Sequence, residues 1–304
     1  MTVVATPAPA ATPQEEAVAA QAPRGARVRK VLSHVPVNVT LLVIGLLWFI
    51  PALGLLVTSF RQPGDYFVNG WWKAITSPSS LTFSNYQHTF QTGGIGHALF
   101  ITALITVPVT ILVCLLSALA GFALVFLNWP GRDWVFIFSV ALLVVPLQMA
   151  LIPVSTLYGH VGLFGTIQGV ILFHVAFGLP FGIFLMRNFY TGIPKDLLEA
   201  ARIDGAGEWM MFRRIVLPLG KPALASLAIF QFLWVWNDLL VALVFLGSST
   251  NQPITVAIFS QLRQFGANID LISTAAFISM VVPLIVFFAF QRQFVRGVLA
   301  GAVK

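Results

Sequence analysis

The stretch from Trp134 to Met186 decides the fold, because WVFIFSVALLVVPLQMALIPVSTLYGHVGLFGTIQGVILFHVAFGLPFGIFLM contains no charged residue. A membrane-spanning helix needs about 20 consecutive apolar residues, so this stretch is long enough for two such helices. Glycines at 159, 162 and 165, together with His160, indicate the break between them. The sequence therefore predicts two consecutive membrane spans here.

Four further apolar runs on either side of this stretch predict four more spans. They lie near 38–60, 96–127, 223–246 and 271–291. The fold class predicted from this pattern is an all-α integral membrane protein with six transmembrane helices in a domain over residues 37–292. Residues 1–36, rich in Ala, Pro and Gln, predict a disordered N-terminal tail, and residues 293–304 a C-terminal tail.

The composition of the whole chain excludes an ordinary soluble domain. Of its 304 residues 9% are charged and 58% are hydrophobic, whereas about 25% of the residues in a typical soluble domain are charged. The net charge of +7 is spread between apolar segments and forms no continuous patch, so we expect no nucleic-acid partner. A single cysteine, Cys114, excludes a disulfide framework and a cysteine-based metal site.

The distribution of basic residues predicts the orientation in the membrane. If both termini lie on the same side of six spans, that side holds 14 of the 17 Lys and Arg residues. The opposite side keeps only Arg61, Lys73 and Arg263. Loops rich in Lys and Arg stay in the cytoplasm, so we expect both termini and the loops around Arg132 and Glu199 to be cytoplasmic.

The fourth connection, IPKDLLEAARIDGAGEWMMFRRIVLP at 193–218, predicts a helix-turn-helix element. Pro194 suits the first position of a helix, and Gly205 suits the left-handed residue that ends one. A second helix is expected from about 207 to 216 and should end before Pro218, because the residue preceding a proline disfavours helical geometry.

Two interpretations of this element follow from its residues alone. It is either an amphipathic loop lying on lipid headgroups, attracted by Arg213 and Arg214, or a docking element in which small Ala200 and Ala201 allow close approach of a partner.

A resemblance to a known family favours docking. The block from Leu179-Pro-Phe181 through Glu199-Ala-Ala-Arg-Ile-Asp-Gly-Ala206 to Leu217-Pro218 resembles the EAA signature of permease subunits of ATP-binding-cassette (ABC) importers, in the maltose-type carbohydrate-uptake branch. A looser likeness covers about 37–304, including Trp236-Asn237-Asp238 and the ending Phe294–Lys304.

This resemblance implies the type I ABC importer permease fold in a bacterial plasma membrane. It implies four kinds of partner: a second homologous permease, two ATP-binding subunits, an extracytoplasmic solute-binding protein and a sugar. Since this chain has no Gly-x-x-x-x-Gly-Lys-Ser/Thr loop, ATP and Mg²⁺ are expected on the ATPase, with no cofactor, metal or catalytic residue in this chain. The ATPase-coupling residues that the resemblance implies are Glu199, Ala200, Ala201, Asp204 and Gly205.

One acidic residue, Asp238, lies within an apolar span. A charge at the bilayer centre costs about 2.5 to 3.5 kcal/mol, so Asp238 should face the protein interior or a wet cavity. At helical spacing Gln231 and Trp234 share its sector and Asn237 flanks it. This face is either a pathway for a sugar or a set of interhelical hydrogen bonds.

The other lone polar residues give little indication of function. We expect His174 and Gln148 to contribute packing or cavity polarity, and His160 to lie in a loop.

Gln252–Ala257 and Ser279–Ala289 look like segments of α-glucoside-type permeases, for maltose, trehalose or glucosylglycerol. The predicted function is therefore sugar import by alternating access; the alternatives are an ion-coupled secondary transporter using Asp238 and an intramembrane enzyme.

Overall fold

The structure, a computed structural model, describes residues 24–91, 94–264 and 269–302. Within these ranges the regular elements are helices, and one isolated β-bridge pairs Arg61 with Leu81. The α-helices are α1 (Arg24–Ser59), α2 (Asp65–Val68), α3 (Lys73–Thr76), α4 (Ser84–Gln91), α5 (Ile95–Phe126), α6 (Arg132–Leu142), α7 (Leu147–Val161), α8 (Ile167–Tyr190), α9 (Lys195–Ile203), α10 (Glu208–Met211), α11 (Leu217–Leu219), α12 (Lys221–Trp236), α13 (Leu240–Leu246), α14 (Ile254–Gln264) and α15 (Ile269–Ala302).

Four helical segments are long and apolar enough to cross a membrane by themselves. They are Pro36–Ser59, Ile95–Phe126, Ile167–Tyr190 and Ile269–Gln291. Two bent pairs raise the number to six if each pair is one span: α6 with α7, bent by 101°, and Glu208–Leu219 with α12, bent by 73°. The all-helical membrane class is confirmed, and the count of six spans stays a prediction.

The chain divides into two units, residues 1–54 and residues 55–304. In the first unit, residues 1–23 of the predicted tail lie outside the described residues. Helix α1 begins at Arg24, earlier than the expected start near 38, because Ala, Arg, Lys and Leu over 26–32 are good helix formers. Between residues 37 and 50 its large apolar side chains are exposed, Trp48 by 82%.

In the second unit, α5 and α8 pack against each other along their length. Two glycines allow this contact. A Cβ at Gly121 would lie 3.0 Å from the Cβ of Met186, and a Cβ at Gly182 would collide with Ser117. Small residues let membrane helices approach closely, and dispersion and backbone contacts then hold them together. Helix α12 packs against α5 and α15 to complete the centre of this unit.

One predicted helix is interrupted. The span expected over 223–246 stops at Trp236 and resumes at Leu240, because the Asp238 N–H donates to the Val235 carbonyl three residues back and not to the carbonyl four residues back. The last candidate span, Ile269–Gln291, agrees with the span expected near 271–291, and its helix continues to Ala302, while residues 303 and 304 lie outside the described residues.

Buried polar side chains fix the conformation of the connection after α1. Arg61, which is 2% exposed, donates to the carbonyls of Asn69 and Asp65 at 2.8 and 3.0 Å. Asn85 donates to the carbonyls of Ser59 and Arg61 at 3.0 and 2.7 Å. These bonds give partners to the buried side chains of Arg61 and Asn85, which would otherwise destabilise the fold.

Candidate coupling loop and interior polar site

The first helix of the 193–218 loop ends as its sequence predicts. Helix α9 spans Lys195–Ile203, and Pro194 sits one position earlier than expected, as the residue that precedes the helix. Gly205 adopts the left-handed conformation, with φ at 82°. The N–H groups of Gly205 and Ala206 then donate to the carbonyls of Arg202 and Ala201 at 3.0 and 2.9 Å, which satisfies the end of the helix.

The second helix of the loop does not end before Pro218, so that prediction is wrong. Helix α10 passes into a π-helical turn over Phe212–Val216 and then into α11, and Leu217 keeps helical angles of −64° and −44°. In the π turn the Leu217 N–H donates to the Phe212 carbonyl five residues earlier. Pro218 thereby falls in the first turn of α11, where its missing N–H breaks no hydrogen bond.

The inner face of this loop is part of the protein core. Leu198, Met211 and Val216 are at most 1% exposed and belong to a cluster with residues at the ends of α5 and α8. The last residues of α5 and α8, Phe126 and Tyr190, lie in this cluster with their ring centroids 6.3 Å apart. The loop is therefore anchored on the shared end of these two helices.

Arg202 joins the two halves of the loop to α5. Its Nε donates to Oε1 of Glu208 at 3.0 Å, and its Nη2 donates to the carbonyl of Phe126 at 3.3 Å. A charge-assisted bond to the last carbonyl of α5 also suits the negative end of that helix. Arg202 was not among the predicted site residues, although a basic residue in the last turn of α9 was a usable signal.

The outer face of the loop carries most of the predicted coupling residues. Glu199, Ala200, Asp204 and Gly205 are exposed, whereas Ala201 is half-buried and packs against the cluster beneath the loop. A contact of Ala201 with a partner therefore stays a prediction, since part of this residue packs against the core of its own chain. The outer face is also apolar, through Leu197, Ile203, Trp209 and Met210, which are 48%, 87%, 65% and 46% exposed.

Asp238 lies in the break between α12 and α13. Its Oδ1 and Oδ2 accept from the N–H groups of Val241 and Ala242 at 3.3 and 2.9 Å, so its carboxylate caps α13. Oδ2 lies 3.6 Å from Nε2 of His174, and 12% of the Asp238 side chain is exposed. Interior placement of Asp238 is confirmed, with interhelical contact to α8.

Gln231 and Trp234 line a cavity of about 310 Å³ with Phe177, Gly178, Phe181 and Phe230. We call it the Trp234 cavity. Gln231 is buried at its floor, and the Trp234 ring contacts the His174 ring, with centroids 5.2 Å apart. His174 thus connects this cavity to Asp238. Asn237 stands apart, because it is exposed and its amide donates to the Leu233 carbonyl of its own helix.

His174 is buried and contacts the Trp234 cavity, which agrees with the expected packing or cavity polarity, and it is also the partner of Asp238. Two other lone polar residues differ from expectation. Gln148 is exposed at the start of α7, and His160 lies in the last turn of α7 rather than in a loop, with Nδ1 2.8 Å from the Thr156 carbonyl. Among the residues that the structure describes, no group of three His, Cys, Asp or Glu side chains is placed to hold a metal ion.

Comparisons with known proteins match this chain to components of transport systems. The family model "Binding-protein-dependent transport system inner membrane component" matches residues 114–300. The "Osmoprotective compounds uptake permease protein GgtD" of Synechocystis sp. is 45% identical over 273 residues, which are 88% of this chain and 92% of GgtD. The "Alpha-glucoside transport system permease protein AglG" of Rhizobium meliloti is 47% identical over 235 residues, which are 75% of this chain and 62% of AglG.

A solved structure has the same fold. One chain of a bacterial ABC transporter involved in the import of the acidic polysaccharide alginate superposes with a TM-score of 0.70 at 20% identity. The match covers 89% of this chain and 98% of that chain.

The capping role of Asp238 gives a first testable prediction. Asp238→Ala removes the acceptor of two buried N–H groups and should lower the free energy of unfolding by about 1 to 3 kcal/mol. Asp238→Asn keeps one acceptor oxygen and should lower it less. Thermal unfolding of the full chain in detergent measures both, with exposed Asn237→Ala as the control. Equal stability of the native protein and Asp238→Ala would contradict the capping role.

Proposed function

The chain belongs to the family of binding-protein-dependent transport system inner membrane components, and we propose that it is the permease subunit of an ATP-driven ABC importer of an α-glucoside or a related oligosaccharide. In this proposal it pairs with a second, homologous permease and two ATP-binding subunits. A binding protein outside the membrane delivers the sugar. This chain holds no cofactor, and the ATP and Mg²⁺ bind to the ATPase subunits.

The substrate class rests on relatives that cover most of the chain. GgtD is named for osmoprotective compounds and AglG for α-glucosides. SugB of Mycobacterium tuberculosis, 34% identical over 230 residues, is named as a trehalose transport permease. Glucosides and trehalose share hydroxyl groups that amides bind and ring faces that aromatic side chains cover. Gln231 and Trp234 of the Trp234 cavity supply both kinds of group.

The 193–218 loop supports the coupling role through its two faces. The inner face is buried against α5 and α8, and Arg202 fixes the loop to the end of α5. The outer face exposes Glu199 and Ala200 beside apolar Ile203 and Trp209. A rigid element with an exposed apolar surface and a charged rim suits docking to another protein. This combination is the single observation that carries the proposal.

The mechanism follows from that rigidity. When ATP binding draws two ATPase subunits together, each docked loop moves with its ATPase. Because the loop is packed into the ends of α5 and α8, these helices move with it as one body. Two permeases moving in this way alternate between an inward-facing and an outward-facing cavity, so ATP hydrolysis drives directional transport.

We do not propose the secondary transporter that uses Asp238. Its carboxylate is engaged by two backbone N–H groups and by His174, which accounts for a buried acidic residue without any ion transport.

The orientation gives a second prediction. Ser79 and Gly207 are both exposed, and native Cys114 is buried, so single cysteines placed at these two positions report on membrane sidedness. In sealed cells an impermeant thiol reagent should modify Ser79→Cys and leave Gly207→Cys unmodified until the membrane is opened. Labelling of Gly207→Cys from outside would contradict a cytoplasmic loop and cytoplasmic termini.

The turn at Gly205 gives a third prediction. Gly205→Val should uncouple ATP hydrolysis from transport, because a side chain in left-handed geometry costs about 1 to 2 kcal/mol and redirects the second half of the loop. Gly207→Val is the matched control. A Cβ meets nothing within 4 Å at either site, but φ is −73° at Gly207, which any residue adopts.

Ala200→Trp tests the same loop by enlarging a side chain on its exposed outer face. Ala200 is exposed, so the larger side chain should block a docked partner and leave the core of the chain intact. Transport and ATPase rates in reconstituted vesicles, together with retention of the ATPase on purification, measure both variants. A protein carrying Gly205→Val and Ala200→Trp that keeps its ATPase and transports at the native rate would refute coupling through this loop.

A further inference from the structure

A basic cavity of about 300 Å³ lies where α5 and α8 end and α6 begins. Its lining includes Arg132 from the start of α6, Arg187 from the last turn of α8, and Lys195, the first residue of α9. One acidic residue, Asp133, shares the lining. Three cationic side chains against one carboxylate leave the cavity positively charged, which favours an anionic occupant.

Contacts hold Arg187 and Arg132 in place, and the one carboxylate of the cavity pairs with only one of the three cations. The guanidinium carbon of Arg187 lies 3.8 Å from the centre of the Phe136 ring, a cation–π contact that orients the side chain. Arg132 donates to the Asn128 side chain at 2.9 Å and has Asp133 at 3.8 Å. Over the described ranges, neither Arg187 nor Lys195 has a carboxylate oxygen within 4.0 Å.

Two helix N-termini also meet this cavity. Helices α6 and α9 both begin at residues that line it, Arg132 and Lys195. The first N–H groups of a helix and its macrodipole favour negative charge, so they add to the attraction of the three cations. A phosphate group suits both the three cations and the helix N–H groups, since it carries negative charge and several strong acceptor oxygens.

The position of the cavity indicates the source of that phosphate. Two candidate spans, Ile95–Phe126 and Ile167–Tyr190, end beside it, which places it at the level of lipid headgroups. On α6, which leaves the cavity, Trp134, Ile137 and Phe138 are 75%, 55% and 65% exposed. This apolar surface suits acyl chains, and an exposed Trp near a span end is typical of the membrane interface.

We propose that this cavity binds the phosphate of an anionic phospholipid, with the acyl chains along the outer face of α6. Since Lys195 is the first residue of α9, the bound phosphate also steadies the start of the 193–218 loop. The cytoplasmic leaflet as its source rests on the orientation in the proposed function. The site itself does not depend on that orientation. Cysteine labelling at Ser79 and Gly207 tests the orientation in a separate experiment.

Lipid retention by the full chain tests this site. The chain, purified in an uncharged detergent, is titrated with phosphatidylglycerol or with phosphatidylcholine and analysed by native mass spectrometry. We expect preferential retention of phosphatidylglycerol, about fivefold weaker in Lys195→Gln, because each basic residue near an anionic headgroup contributes about that factor. Exposed Arg213→Gln removes the same charge from the same loop outside the cavity and should bind as the native chain does.

A second arm separates the lipid from free phosphate. Inorganic phosphate added in excess should leave the bound phosphatidylglycerol in place, because it gains nothing from the apolar face of α6. Displacement of the lipid by this excess of phosphate would overturn the lipid assignment in favour of a free-anion site. Equal retention of both lipids, or equal retention by Lys195→Gln and the native chain, would overturn the site itself.

Discussion

Close contact between α5 and α8 is the constraint on which the rest of this structure depends. Gly121 and Gly182 allow the two helices to touch, because a Cβ would collide with Ser117 at Gly182 and would crowd the Met186 Cβ at Gly121. The helices end together at Phe126 and Tyr190, and the 193–218 loop packs onto this shared end. Because Arg202 bonds to the last carbonyl of α5, the loop has little freedom to move independently of the helices. In the proposed mechanism, motion imposed on the loop is therefore transmitted to α5 and α8.

The same helix, α8, organises the interior polar site. His174 contacts Asp238 at the break between α12 and α13 and also contacts the Trp234 ring. Asp238 uses its oxygens to cap α13, so its charge stabilises a helix start within an apolar region. A movement of α8 that follows the loop would alter both the Trp234 cavity and the contact with Asp238. This arrangement links the proposed coupling surface to the proposed sugar pathway through one helix.

Features encoded by local residue types could be predicted from the sequence. Apolar runs predicted the helical membrane class, and Gly205 predicted the left-handed end of α9, because each depends on residues close together in the chain. The contact between His174 and Asp238 joins residues far apart in sequence, so no local pattern indicates it. The break after Trp236 has no Gly or Pro to mark it, and the π-helical turn before Pro218 overrides the usual effect of proline. The direction of Ala201 also depends on tertiary packing.

Photocrosslinking from the outer face of the loop tests the central claim most directly. A benzoylphenylalanine in place of Trp209, which is 65% exposed on the outer face and similar in size, should form a covalent adduct with an ATP-binding subunit when the assembled importer is irradiated in the membrane. The same photoreactive residue at Ser79, exposed in the connection after α1, should not form that adduct. An ATPase adduct from Ser79, with none from position 209, would contradict docking of the 193–218 loop.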